Sequence, residues 1–209
     1  MAAHDTRMLL LGAVALFEPV NGYQIRRELL SWSVDDWAHL NPGSIYSGLA
    51  TLTKQGFIVR HDLDDGGREV AVYESTAQGR SELERLVTAG LEEVSVVDRK
   101  GFSAAFGLLP LVPEDQALRS LVRRRVALEE LVARLAQPPA PGDAPPHALR
   151  TVMLWLDLAT AELAWLRESI EEMKAGRLAL DASTWTPPAD DPGWQMNADR
   201  ERYRALLRG

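Results

Sequence analysis

The chain contains no cysteine, so neither a disulfide scaffold nor a cysteine-ligated zinc site is open to it. Histidine is scarce too: only His4, His39, His61 and His147 occur, and no two share the spacing of a metal-binding helix, so no metal and no cofactor is expected. Long apolar runs are also missing. The longest, Met8 to Phe17, falls short of the ~18 residues of a membrane span, and no membrane partner is expected. Ala13-Val14-Ala15 has the form of a signal-cleavage site, but the apolar stretch ahead of it, Met8 to Gly12, is shorter than the ~7 residues of a minimal signal core. A cytoplasmic protein is the expectation. Ser44 and Ser47 lack the flanking glycines of a nucleophile elbow, and no glycine-rich phosphate loop precedes a helix, so no enzyme is expected. An excess of positive charge is absent as well. Lys and Arg number 23 against 30 Asp and Glu, for a net charge of −7. Residues 1–80 hold 7 basic against 10 acidic side chains and residues 81–209 hold 16 against 20. Any surface for a polyanion must therefore be local.

What is present is the material of a globular fold: 209 residues, 46% of them hydrophobic and 25% charged, enough for one large domain or two small ones. Met8, Leu9, Leu11, Val14, Leu16 and Phe17 predict a first apolar helix, ended by Glu18-Pro19-Val20-Asn21-Gly22. Ile25, Leu29 and Leu30, interleaved with polar residues from Tyr23 to Trp32, predict a second, one-faced helix. Asn41 as N-cap, Pro42 at the first helical position and Gly56 beyond the end mark a third. Its inner stripe is Ile45, Leu49 and Leu52, which turns Gly43, Ser47, Ala50, Thr51 and Lys54 outward with Ser44 and Tyr46 on the flanks. Two strand-like runs, Phe57 to Asp62 and Glu69 to Glu74, flank a glycine-bearing turn. Asp62, Asp64 and Asp65 there are expected to form a solvated hairpin tip rather than a calcium loop. Three helices followed by a hairpin spell a winged helix.

The rest of the chain is expected to be helical. Thr76 caps a helix predicted to run to about Arg99; Phe102 to Leu109 and Glu114 to Ala136 follow, with Arg123-Arg124-Arg125 expected to fan into solvent. Gln137 to Pro146 reads as a proline-rich linker. The helix from His147 to about Lys174 carries one apolar seam, Val152, Leu156, Ala159, Leu163, Leu166, Ile170 and Met173, and a second through Leu154, Leu158, Ala161 and Trp165. A helix apolar on two sides must be covered on two sides, which predicts a homodimer. Ala182 to Trp194 reads as loop, and Met196 to Leu207 as a short amphipathic helix. Of the six tryptophans, Trp32 and Trp37 are expected to brace the third helix from behind. Trp155, Trp165, Trp185 and Trp194 suit core, an interface, or, together with Phe102 and Phe106, an effector-binding pocket for a small aromatic molecule.

Gly22-Tyr23-Gln24-Ile25, then Ile45-Tyr46 with Leu49, Leu52 and Gly56 at their spacings, then Thr76-Ala77-Gln78-Gly79, all after a short apolar first helix, make up a pattern that resembles the PadR family of bacterial transcriptional regulators. The resemblance is to its longer members with a helical C-terminal domain. It implies a mainly α protein: an N-terminal winged helix-turn-helix with a small β-hairpin wing over residues 1–80, and an all-helical dimerisation and effector domain over residues 81–209. The implied partners are a double-stranded DNA operator with an inverted repeat, a second copy of the chain and a small-molecule effector, in a repressor. Gly43, Ser44, Ser47 and Thr51 then become the groove-facing residues. Tyr23, Gln24, Tyr46, Arg26, Arg27, Lys54 and Arg68 become the remaining DNA contacts, the tyrosines and cations mainly to phosphates. The acidic balance also suits an alternative, a winged-helix module that binds protein instead of DNA.

Overall fold

The computed structural model describes residues 2–137, 144–178, 180, 186 and 188–208. Helix α1 (Ala2–Phe17) leads into a two-residue strand β1 (Val20–Asn21), then α2 (Gly22–Ser31), a single turn α3 (Val34–Trp37) and α4 (Pro42–Lys54). Strands β2 (Ile58–Asp64) and β3 (Glu69–Ser75) follow, then α5 (Ala77–Glu92). The sheet order is β1-β3-β2, antiparallel throughout, with Ile58 opposite Ser75, Asp64 opposite Glu69 and Val20 opposite Tyr73. Next come α6 (Lys100–Gly107), a 3-10 turn (Leu109–Leu111), α7 (Glu114–Leu135), α8 (Pro146–Lys174) and α9 (Gly193–Arg208).

The chain forms two compact units. One is Met1–Val87 with Ser183–Gly209, and the other is Thr88–Ala182. The expected cut after residue 80 therefore moves into α5, and the terminal helix leaves the helical domain for the winged-helix one.

In the first unit, Leu9, Leu10 and Val14 of α1, Ile25 and Leu29 of α2, and Ile45, Leu49 and Leu52 of α4 are all buried together with Ile58 and Val72 of the sheet. The predicted inner stripe of α4 is thus the core stripe. Glu18, just past α1, accepts hydrogen bonds from the backbone N and hydroxyl of Ser75, both 2.6 Å, and from Arg80 at 2.8 Å. One carboxylate thereby joins the end of α1, the end of β3 and the first turn of α5. Thr76 caps that turn by accepting from the Gly79 N–H at 2.9 Å. Gly79 is glycine for a steric reason, since a Cβ there would stand 1.9 Å from the Phe57 carbonyl oxygen. Arg7 reaches from α1 to Glu82 of α5 at 3.1 Å. Hydrogen bonding from Arg85, with help from Arg7, holds the Glu82 carboxyl below the usual glutamate range.

The second unit turns on Arg124, which is fully buried and corrects the expectation that all three consecutive arginines reach solvent. Its Nε donates to Glu162 at 2.9 Å, its Nη1 to the carbonyls of Leu91 and Glu93, and its guanidinium lies 3.8 Å from the centre of the Phe102 ring. Burial pushes the guanidinium below its ordinary pKa, while Glu162 works the other way. The same contacts explain why α5 stops at Glu92 rather than near Arg99. The carbonyls at its end, which would otherwise continue the helix ladder, are taken by a side chain from α7. Arg123 does lie out, pairing with Glu92 at 2.8 Å. Both helix starts carry a proline: Pro110 is the second residue of the 3-10 turn after α6, and Pro146 opens α8 instead of ending the linker. Most of that linker, 138–143, lies outside the described residues.

Arg124→Ala takes the donor from two backbone carbonyls and leaves the buried Glu162 to Arg99 alone, at 2.9 Å, and is expected to cost about 3 kcal/mol in urea unfolding. Arg124→Met with Glu162→Leu, which removes both charges, should recover part of that loss. Because the Glu82 pKa is lower folded than unfolded, its contribution to stability is complete above the ordinary glutamate value and disappears as pH falls through the depressed one. Glu82→Gln should therefore flatten the decline of thermal midpoint below about pH 4, and a parallel decline in the variant would show that other carboxylates govern it.

Candidate nucleic-acid interface

Helix α4 begins as the sequence predicts, with Asn41 as N-cap accepting from the Gly43 N–H at 2.9 Å and Pro42 in the first turn. Its exposed side carries Gly43, Tyr46, Ser47, Ala50, Thr51 and Lys54, with Ser44 half-buried at its edge. The hydroxyls on this face all donate backward along the helix: Ser44 to the Asn41 carbonyl at 2.6 Å, Ser47 to Ser44 at 2.9 Å and Thr51 to Ser47 at 2.8 Å. Their oxygens keep lone pairs for an incoming donor. A shallow groove beside them is bordered by Thr6 and Arg7 of α1. These two were not singled out by sequence reasoning, although a polar pair immediately before the first apolar run is the trace they leave.

Tyr46 and Tyr23 are 48% and 63% exposed. A Cβ on Gly22 would meet the Tyr46 ring at 3.0 Å, so the glycine of the Gly-Tyr pair is what lets the α4 tyrosine lie against the start of α2. Both phenols therefore flank one helix N-terminus. Together with Arg68 and Arg60 of the hairpin they line a cleft of about 820 Å³, which Asp199, Arg202 and Tyr203 of α9 complete. Arg60 is paired to Asp62 at 2.7 Å. Neither Arg60 nor Arg202 stands out in the sequence.

Gln24 departs from the expectation. It is 3% exposed: its Oε1 accepts from the Asn21 N–H at 3.1 Å, Asn21 Oδ1 accepts from the Gln24 N–H at 2.9 Å, and its Nε2 donates to Asp199 at 2.8 Å. It completes a capping box and faces α9, so it is removed from the set of DNA contacts. Arg27 is half-buried, donating to Glu28 at 2.7 Å and lying against Met196, while Arg26 is half-buried on the same helix. Trp32 packs on Phe17 with ring centres 6.2 Å apart, and Trp37 donates to the Trp32 carbonyl at 2.8 Å.

The residues of the expected aromatic pocket fall in both units. Phe102, Phe106 and Trp165 of the second unit form one cluster, with ring centres 4.9 to 5.9 Å apart, and Trp155 is half-buried on α8. Trp194 belongs to α9 in the first unit, where its indole N–H donates to the Pro188 carbonyl at 2.9 Å. Trp185 lies outside the described residues. Among the described residues, no group of three metal-binding side chains occurs, and no helix is long and apolar enough to cross a membrane.

Residues 10–85 match the model of the transcriptional regulator PadR-like family. Among solved structures, the chain is similar to Bacillus subtilis PadR in complex with operator DNA, at 19% identity over 80% of this chain and 98% of that one, with a TM-score of 0.33. It is similar too to Bacillus subtilis PadR in complex with p-coumaric acid, at 15% identity over 81% and 97% of the two chains, with a TM-score of 0.34. No curated protein matches.

Proposed function

The chain carries a PadR-like regulatory domain at residues 10–85, and on that premise we propose that it is a transcriptional repressor that binds an inverted-repeat operator as a homodimer. The observation that carries the reading is the exposed face of α4. Small and hydroxyl residues occupy its middle, which lets a helix enter a major groove and meet base edges. Tyr23, Tyr46 and Lys54 border it with groups that bond phosphate oxygens, and Arg68 stands at the hairpin turn where a wing meets the duplex. The chain's negative net charge does not oppose this, because Lys54, Arg60 and Arg68 all line clefts that Tyr46 also borders.

The homodimer rests on α8. Its first seam supplies the buried Ala159, Leu163, Leu166, Ile170 and Met173, whereas the second leaves Leu154 54% and Trp165 42% exposed, an apolar stripe suited to a second copy. Two α4 helices related by a two-fold axis read half-sites about one helical turn, ~34 Å, apart or a multiple of it. The helical second unit, Thr88–Ala182, supports reading the chain as one of the longer members of the family. The aromatic cluster of Phe102, Phe106 and Trp165 supports reading the second unit as the seat of a planar hydrophobic effector, and a 100-fold release from DNA needs about 2.7 kcal/mol of coupling.

Duplex DNA from the region upstream of its own gene should be bound with an affinity that drops steeply between two salt concentrations, as counterion release requires. Tyr46→Ala and Arg68→Ala should each weaken binding several-fold and leave the dimer intact in light scattering. Salt-independent binding of a protein partner, with no DNA retained, would favour the protein-binding alternative instead, and a monomer at micromolar concentration would remove the two-fold operator.

A further inference from the structure

Helix α9 lies far along the chain from the winged helix, yet it is built into it. Met196 and Tyr203 are buried, the Tyr203 hydroxyl accepts from Asn21 Nδ2 at 2.9 Å, and Arg200 donates to the Phe17 and Leu16 carbonyls at 3.0 and 3.1 Å. The helix is thus anchored on the end of α1 and the start of α2. From that seat Arg202 reaches the hairpin tip, where Nε and Nη2 each meet one oxygen of Asp65, at 2.7 and 2.9 Å. A two-pronged guanidinium–carboxylate pair fixes orientation as well as distance. The tip beyond Asp64 and Glu69 is otherwise held by its own turn, in which the Asp65 N–H donates to the Arg68 carbonyl at 2.9 Å.

The contacts continue inward without a gap. Arg202 Nη2 also donates to Asp199 at 3.0 Å, the other oxygen of Asp199 accepts from Gln24 at 2.8 Å, and Gln24 closes the cap of α2 beside Tyr23. The wing tip and the N-terminus of α2 are thereby tied through one helix, and Tyr46 of α4 lines the same cleft. We propose that α9 is a clamp that sets the position of the wing relative to α2 and α4, and that Arg202 is a positioning residue for DNA binding which itself touches no DNA. This rests on the reading of α4 and the hairpin as a DNA-binding surface.

Charge alone makes the opposite prediction at one site, which gives the test. Asp65 is an acid on a surface meant for phosphates, so Asp65→Asn tightens DNA binding if only charge matters. If α9 is a clamp, the same change breaks the pair and weakens binding. The experiment uses the full chain, duplex DNA from the region upstream of its own gene, and hydrogen exchange of the amides of residues 65–68. Arg202→Gln and Asp65→Asn are each expected to lower DNA affinity about five- to tenfold and to speed exchange at the tip about tenfold, with little change in thermal midpoint because the pair lies at the surface. The exchanged pair, Asp65→Arg with Arg202→Asp, should return exchange at the tip part of the way to the parent rate, short of full recovery because Asp199, which Arg202 also bonds at 3.0 Å, then faces a second carboxylate, and a generic loss of charge produces no such recovery. Tighter binding by Asp65→Asn, or unchanged exchange in Arg202→Gln, overturns the clamp while leaving the DNA-binding reading in place. A parent protein that binds no DNA overturns that reading and the clamp's role in it together, and exchange at the tip then reports separately whether α9 holds the wing.

Discussion

The surface formed by α4, the start of α2 and the hairpin depends on a single closure, the docking of α9 on the capping box of α2. Gln24 is the pivot. One side of its amide satisfies the Asn21 N–H and the other donates to Asp199, so the same side chain starts one helix and receives another. A buried amide of this kind is stable only when both ends are partnered. The first unit therefore consists of two stretches of chain, and neither contains all the hydrogen-bond partners the surface needs.

The local features of the winged helix were legible because each is written in a few adjacent residues. Asn41, Pro42 and Gly56 bracket α4, Ile45, Leu49 and Leu52 give its inner face, and the turn glycines place the hairpin within two residues. The Gly-Tyr and Thr-x-x-Gly signatures turn out to have steric causes, one seating the Tyr46 ring and the other admitting the Phe57 carbonyl. Features set by distant partners were not legible. Strand β1 is two residues held by Tyr73 and Val72, too short to carry a periodicity. The end of α5 is set by an arginine more than thirty residues later, and the amphipathic pattern of α9 reveals that one face is buried without naming what buries it. Gln24 reads as an exposed polar residue on a helix until Asp199 is known to face it.

Arg124 shows the same limit from the other direction. Three consecutive arginines look like one solvated run, but helical geometry turns successive residues by about 100°, so the middle one is fully buried while Arg123 lies out and Arg125 is half-buried. There it meets a carboxylate, two carbonyls and an aromatic face, the full set a buried guanidinium needs. The aromatic cluster proposed for an effector includes Phe102, the ring on which this cation lies, so polar and apolar packing in the second unit share a side chain.

The discontinuity of the first unit also fixes an order of events during synthesis. Residues 88–192 emerge after the hairpin and before α9, which at ~5–20 residues per second takes roughly 5–20 s. Throughout that interval the seats of Met196 and Tyr203 stand uncovered and the Asp65 carboxylate has no guanidinium from α9 beside it. The nascent winged helix is thus left incomplete until α9 has left the ribosome, and the intervening helical unit has time to fold before the surface it is joined to becomes whole.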